Sequence, residues 1–231
     1  MCKICPTVDF HTHLDRQHPL EVPANTVRII SVPQEEAALP LPEKCFATLE
    51  LHPWSGAMWS ENVAEMAKDS RFIGIGEVGL DRLKGKLSIA EQMLIFSHAA
   101  NLAQKLNKPL TIHCVKCFSE LLNLYKNIKW QVPTIIHYFC GKLELAQQLW
   151  QDTHFILSLP PKITVQTRLL EFLRANPQYH NRIVLETDDP VSGDIHEHYK
   201  TMANALDLSL PQLTQLMAEQ FERVYHAGNI R

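Results

Sequence analysis

The chain has 231 residues, 45% of them hydrophobic, and a formal net charge of −3, which suits one α/β domain with a sizeable core. That charge excludes a strongly basic nucleic-acid surface, although a local basic rim still allows a nucleic-acid substrate. No apolar run approaches the ~18 residues of a membrane span and the first residues carry no signal-peptide core, so a cytoplasmic protein without membrane contact is expected.

The first strand-like run, residues 7–12, closes on Asp9-Phe10-His11-Thr12-His13. Side chains alternate along a strand, so Asp9, His11 and His13 share one face. Two imidazoles at i and i+2 can grip one metal, with Asp9 orienting a ligand from behind. The second and third runs cover 27–32 and 46–52. Their connections hold Pro19 and Pro23, then Pro40 and Pro42, and Gln34–Leu39 has room for little more than one turn. The first two crossover helices are therefore expected to be reduced or missing. The Pro-rich segment, or a second subunit in a homodimer, is expected to cover strands 1 and 2.

From here strand and helix patterns alternate. A helical pattern at 60–69 precedes a strand at 72–77 ending in Glu77, which has glycines on both sides that permit close approach. The longest stripe, 88–107, leads to a strand at 109–113 ending in His113. A helix at 119–127 leads to a strand at 133–137 ending in His137. Further helices are expected at 142–151 and 164–175, and strands at 154–159 and 182–187, the latter followed by Asp188. Two helical patterns close the chain, 195–206 and 211–226, with Pro211 in the first turn of the last. This alternation predicts a parallel sheet closed as a TIM-like (β/α) barrel.

Six cysteines in this length do not make a disulfide scaffold. Cys2 and Cys5 enter the first strand while Cys114 and Cys117 leave the fifth, at opposite ends of a barrel, so the two C-x-x-C pairs read as reduced thiols rather than one zinc site.

His11, His13, Glu77, His113, His137 and Asp188 all follow or end apolar strands. A barrel brings such positions to one mouth. Six ligands exceed the needs of one four-coordinate ion, and a glutamate that bridges two ions suggests a pair ~3.5–4 Å apart. Imidazole richness favours zinc, manganese, iron or nickel over magnesium. Spacing alone does not choose between Asp188 and Asp189.

These residues stand in segments that resemble the TatD family of metal-dependent hydrolases, within the amidohydrolase superfamily. The segments are Val8-Asp-Phe-His-Thr-His-Leu-Asp15, Leu51-His-Pro53, Gly76-Glu-Val-Gly-Leu-Asp81, Ile112-His113, Ile136-His-Tyr-Phe-Cys-Gly141 and Leu185-Glu-Thr-Asp-Asp-Pro190, in the family's order. The resemblance implies a barrel with two divalent cations, with zinc, manganese, magnesium and nickel as candidates. It implies His11, His13 and Asp188 on the first cation, His113 and His137 on the second, and Glu77 bridging. It also implies that His52 meets substrate phosphate, and that Gln92 and Phe96 pack behind the Glu77 segment. The chain departs from the family at Val115, where an arginine is usual, leaving Lys116 to supply positive charge as a point charge without a fork. Arg82 and Leu83 replace an aromatic-histidine pair, Cys140 replaces a serine, and the segment 14–45 is short.

The leading functional expectation is a phosphodiesterase or deoxyribonuclease acting on nucleic acid or a small phosphodiester. Asp188 takes the proton of the attacking water, and His52 and Lys116 hold the phosphate. The alternatives are an ester or amide hydrolase using the same water, and a metal-keeping barrel that binds a partner without catalysis.

Overall fold

Eight strands pair in sequence order, all parallel: β1 (Thr7–His13), β2 (Thr26–Pro33), β3 (Cys45–Leu51), β4 (Phe72–Asp81), β5 (Leu110–Val115), β6 (Thr134–Ile136), β7 (Ile156–Leu159) and β8 (Ile183–Leu185). The coordinates are a computed structural model that describes residues 5–14, 22–189 and 194–225. Cys2, Pro19, Pro190 and His226, with the N-terminal residues read for a signal peptide, lie outside the described residues. The sheet closes where the Asp188 N–H donates to His11 O at 3.0 Å and the His13 N–H donates to Asp188 O at 3.2 Å. The expected TIM-like barrel is present, and the closure itself runs through three of the expected metal ligands.

Helices α1 (Glu61–Met66), α2 (Ile89–Leu106), α3 (Phe118–Ile128), α4 (Leu143–Asp152), α5 (Thr167–Ala175), α6 (Ile195–Leu206) and α7 (Leu210–Tyr225) follow the later strands. The longest, α2, begins at a reciprocal cap: Ser88 accepts from the Glu91 N–H while the Glu91 carboxylate accepts from the Ser88 N–H. Between β2 and β3 the only helical piece is a 3-10 turn at Gln34–Glu36, and the described residues between β1 and β2 carry no helix. Proline in both connections accounts for this.

The face expected to lack cover is covered from the far end of the chain. Tyr199 on α6 grips β1, its hydroxyl accepting from the Val8 N–H at 3.0 Å and donating to Val8 O at 2.8 Å. Phe221 on α7 packs its ring against Phe10 at 6.4 Å and Phe46 at 5.5 Å. Val8, Phe10, Ile29 and Ile30 are fully buried. α6 and α7 thus cover β1, and the described part of the Pro-rich connection between β2 and β3 packs Ala37 and Leu41 on the core beside them. Truncating a ring such as Phe221 costs ~3–5 kcal/mol.

Candidate metal centre

The strand ends carry the site. Gly79 lets β4 lie against β5, because a Cβ there would meet His113 O at 1.8 Å. Glu77 sits one turn of the pleat earlier, and its N–H donates to Ser31 Oγ at 2.9 Å. β6 ends at Ile136, and His137 follows with its N–H on Ile112 O at 3.0 Å. Asp188 holds a left-handed backbone, φ 65°, a conformation aspartate tolerates better than most residues.

All six expected ligands converge on the Glu77 carboxylate or its rim. Glu77 Oε2 lies 3.2 Å from His11 Nε2 and 3.3 Å from His13 Nε2. Glu77 Oε1 lies 2.5 Å from His113 Nδ1, 2.8 Å from His137 Nε2 and 2.9 Å from His52 Nε2. Asp188 Oδ1 stands 3.6 Å from His11 Nε2 and 3.7 Å from both His13 Nε2 and His137 Nδ1. Asp189, its sequence rival, lines the same cavity.

The donor set fits cations. Imidazole nitrogens face one another, His11 Nε2 to His13 Nε2 at 3.3 Å and His113 Nδ1 to His137 Nε2 at 3.2 Å. Each pair meets either through one N–H···N hydrogen bond or with both lone pairs turned to a cation between them, and the second arrangement also serves the carboxylate beside them. Glu77 Oε2 is buried and makes no hydrogen bond, a deficit that a buried carboxylate does not sustain unaided. Three overlapping groups place their ligand atoms within 4.8 Å of one another: His11, Glu77 and His137; His11, His13 and Asp188; His52, Glu77 and His113.

The electrostatics follow from this crowding. Burial pushes the Glu77 carboxyl up, but the His137 charge and the imidazole donors outweigh it and hold the group well below the usual carboxylate range. Burial opposes charge on His137 too, yet Glu77 and Glu186 raise it well above the ordinary imidazole value. Burial, with His137 beside it, lowers His11. Burial raises Asp188.

Acceptors stand behind three of the imidazoles, and at His113 the acceptor sets the tautomer. Asp81 Oδ2 lies 3.1 Å from His113 Nε2, which leaves Nδ1 bare toward Glu77. Glu186 Oε1 stands 3.5 Å from His137 Nδ1, and Glu50 Oε2 stands 3.6 Å from His13 Nδ1. His52 differs: its Nδ1 accepts from the Trp54 N–H at 3.0 Å, so its Nε2 carries the proton and is a donor rather than a ligand. Asp9 does not reach a histidine. It accepts from the Thr187 N–H at 2.9 Å and the Thr187 hydroxyl at 2.7 Å, anchoring the residue before Asp188, and burial raises its carboxyl to about 7.

Sequence reasoning assigned no role to Glu50, Asp81 or Glu186. A parity signal was available for two of them: Glu50 lies two residues before His52 and Asp81 four after Glu77, on the same faces of β3 and β4; Glu186 lies past the end of β8 and had none. Gln92 does more than pack. Its Oε1 accepts from the Asp81 N–H at 2.7 Å and its Nε2 donates to Asp81 O at 3.2 Å. Phe96 is buried against Trp130 as expected. Lys116 is exposed and is not among the residues lining the central cavity of about 720 Å³; Lys84 is. The described cysteines are free thiols.

The sequence model for the family described as TatD related DNase matches residues 8–227. The 3'-5' ssDNA/RNA exonuclease TatD of Klebsiella pneumoniae is 30% identical over 152 residues, which cover 63% of this chain and 57% of the relative. The enzyme of the same description from Pectobacterium atrosepticum is 28% identical over 156 residues, covering 64% and 59%. The chain thus spans less than two thirds of the length of these relatives. Among solved structures, the TatD homologue YJJV of Escherichia coli superposes with a TM-score of 0.78 at 16% identity, covering 97% of this chain and 99% of that one. A TatD family hydrolase of Entamoeba histolytica gives 0.75 at 15% identity, covering 96% and 98%. These likenesses carry the fold.

Proposed function

We infer the activity from one premise, that the chain belongs to the TatD related DNase family: it is a divalent-metal-dependent hydrolase that cleaves phosphodiester bonds of nucleic acid. The observation that carries this reading is Glu77, whose two oxygens face separate sets of imidazoles 2.5–3.3 Å away. His11, His13 and Asp188 would hold one cation, His113 and His137 a second, and Glu77 would bridge. When bound, such a pair lowers the pKa of a water and stabilises charge on a phosphoryl group.

The chain's own residues do the rest. Asp188, at the open edge of the cavity with its side chain 29% exposed, accepts the proton of the attacking water. His52, kept a donor at Nε2 by the Trp54 N–H, meets a phosphoryl oxygen. Asp81 and Glu186 keep His113 and His137 turned inward. All of these residues stand on one chain.

Metal analysis of the purified protein, with turnover on single-stranded oligonucleotides, nitrophenyl phosphodiesters and nitrophenyl esters under magnesium, manganese, zinc and nickel, tests this. Phosphodiester cleavage with two ions per chain is expected. Turnover of esters alone, or of nothing, overturns it.

A further inference from the structure

We propose that Lys84 is the residue that receives substrate phosphate at the mouth of the cavity, and that Trp54 positions it. This rests on the phosphodiesterase reading above and names the substrate-recognition element of the same site.

The mouth is short of positive charge. Its lining carries the carboxylates of Glu77, Asp81, Asp188 and Asp189, and among the described residues Lys84 is the only lysine or arginine on it. Cations bound beneath offset the acids nearest them, but a polyanion approaching from solvent also needs a positive group at the rim. Lys116, the sequence candidate, is turned to solvent and its backbone carbonyl accepts from Arg82 Nε at 3.3 Å.

Lys84 is held rather than loose. Its Nζ sits 4.5 Å from the centre of the Trp54 ring, within the range of a cation–π contact. The indole Nε1–H of Trp54 donates to Asp81 Oδ2 at 2.6 Å, the oxygen that also meets His113. The other oxygen, Oδ1, accepts the N–H groups of Leu83 at 2.7 Å and Lys84 at 2.9 Å. One carboxylate therefore fixes a metal-site imidazole, the indole and the backbone of the lysine in one frame. The Trp54 ring also meets His52 edge-on at 4.7 Å, so the lysine and the phosphoryl-directed histidine flank the same indole.

The surroundings specify the group attached to the phosphate. Large hydrophobic side chains are exposed around the same cavity: Trp54 41%, Leu83 68% and Tyr138 39%. Apolar and aromatic surface beside a positive group suits a nucleobase joined to its phosphate and reads no sequence. A small aliphatic ester would use neither feature.

The test uses the metal-loaded enzyme with a labelled single-stranded oligonucleotide, read as turnover and, with a phosphorothioate strand, as equilibrium anisotropy. Lys84→Ala is expected to raise KM and the dissociation constant about tenfold with kcat within about threefold, and to reduce the slope of log affinity against log salt by about 0.7. Lys84→Arg recovers most of the loss. Trp54→Leu raises KM about threefold with metal content unchanged. Lys116→Ala behaves as the wild type. Wild-type KM, affinity and salt slope in Lys84→Ala overturn the proposal and leave the phosphodiesterase reading standing. Wild-type enzyme that binds the strand through Lys84 without cleaving any phosphodiester overturns that reading and leaves the proposal standing. Absence of strand binding overturns both.

Discussion

The two oxygens of Glu77 look into unequal halves of one site. On the Oε1 side, His113, His137 and His52 have side chains 7%, 6% and 10% exposed, and the first two face the acceptors Asp81 and Glu186 at 3.1 and 3.5 Å. On the Oε2 side, His13 and Asp188 are 37% and 29% exposed, while Nδ1 of the buried His11 here and Nδ1 of His137 on the other side both lack a hydrogen-bond partner. The closed half is the more buried and is preorganised where Asp81 fixes His113, whereas the open half is reached by solvent and shaped by the barrel's closing seam. Two cations in such a site would differ in affinity, the buried half holding its ion more tightly, because partners behind a ligand typically change affinity 10–100-fold.

The severest way to break this comparison is to remove what joins the halves. Glu77→Ala is expected to drop metal content below about one ion per chain and turnover by on the order of 10³-fold or more, measured by elemental analysis and steady-state rates. Retention of both ions would show that the carboxylate is not the bridge.

Splitting the halves sharpens it. His137→Ala is expected to lose the slowly exchanging ion, and His13→Ala the readily exchanging one, so a chelator time course should be biphasic in the wild type and monophasic in each variant. Equal exchange of both ions in the wild type removes the asymmetry.

Smaller effects come from the supports. Asp81→Ala frees His113 to rotate and is expected to weaken metal affinity ~10–100-fold, with a lesser loss in Glu50→Ala, whose carboxylate stands farther from His13 at 3.6 Å. Isothermal titration after chelation ranks the two, and a reversed order contradicts the assignment of the closed half.

The mildest expected effect lies outside both halves. His198 donates from a buried ring to Leu159 O at 2.8 Å, and burial holds its pKa below the ordinary imidazole value. Above ~6.5 both folded and unfolded states are neutral there; below it the unfolded chain takes up a proton that the folded chain resists, so stability falls as pH falls. Urea midpoints at pH 7 and pH 5 should differ less in His198→Gln than in the wild type. An unchanged difference assigns the acid sensitivity elsewhere.

The six clustered positions were legible because each ends or follows an apolar strand, and a parallel barrel has one place to put strand ends. Asp81 was less so, because β4 runs on to residue 81 through Gly79, beyond the apolar run that marked it. Glu186 is fully buried although it opens the polar run Glu186-Thr187-Asp188-Asp189 just past the end of β8, and nothing local distinguishes it from a surface acid. The choice of Lys84 over Lys116 depends on where the chain turns after Asp81, which its hydrogen bonds to Leu83 and Lys84 decide.

The amino-acid sequence by itself determined the eight-strand alternation, the shortened early connections and the six side chains gathered at the mouth, because these depend on periodicity and on residue type at strand ends. Only the tertiary structure decided which acid stands behind which imidazole, that His52 is a donor, that Lys84 sits over Trp54, and that α6 and α7 close over β1. Those facts arise from contacts between residues as far apart as Val8 and Tyr199, and no local pattern encodes a partner 191 residues away.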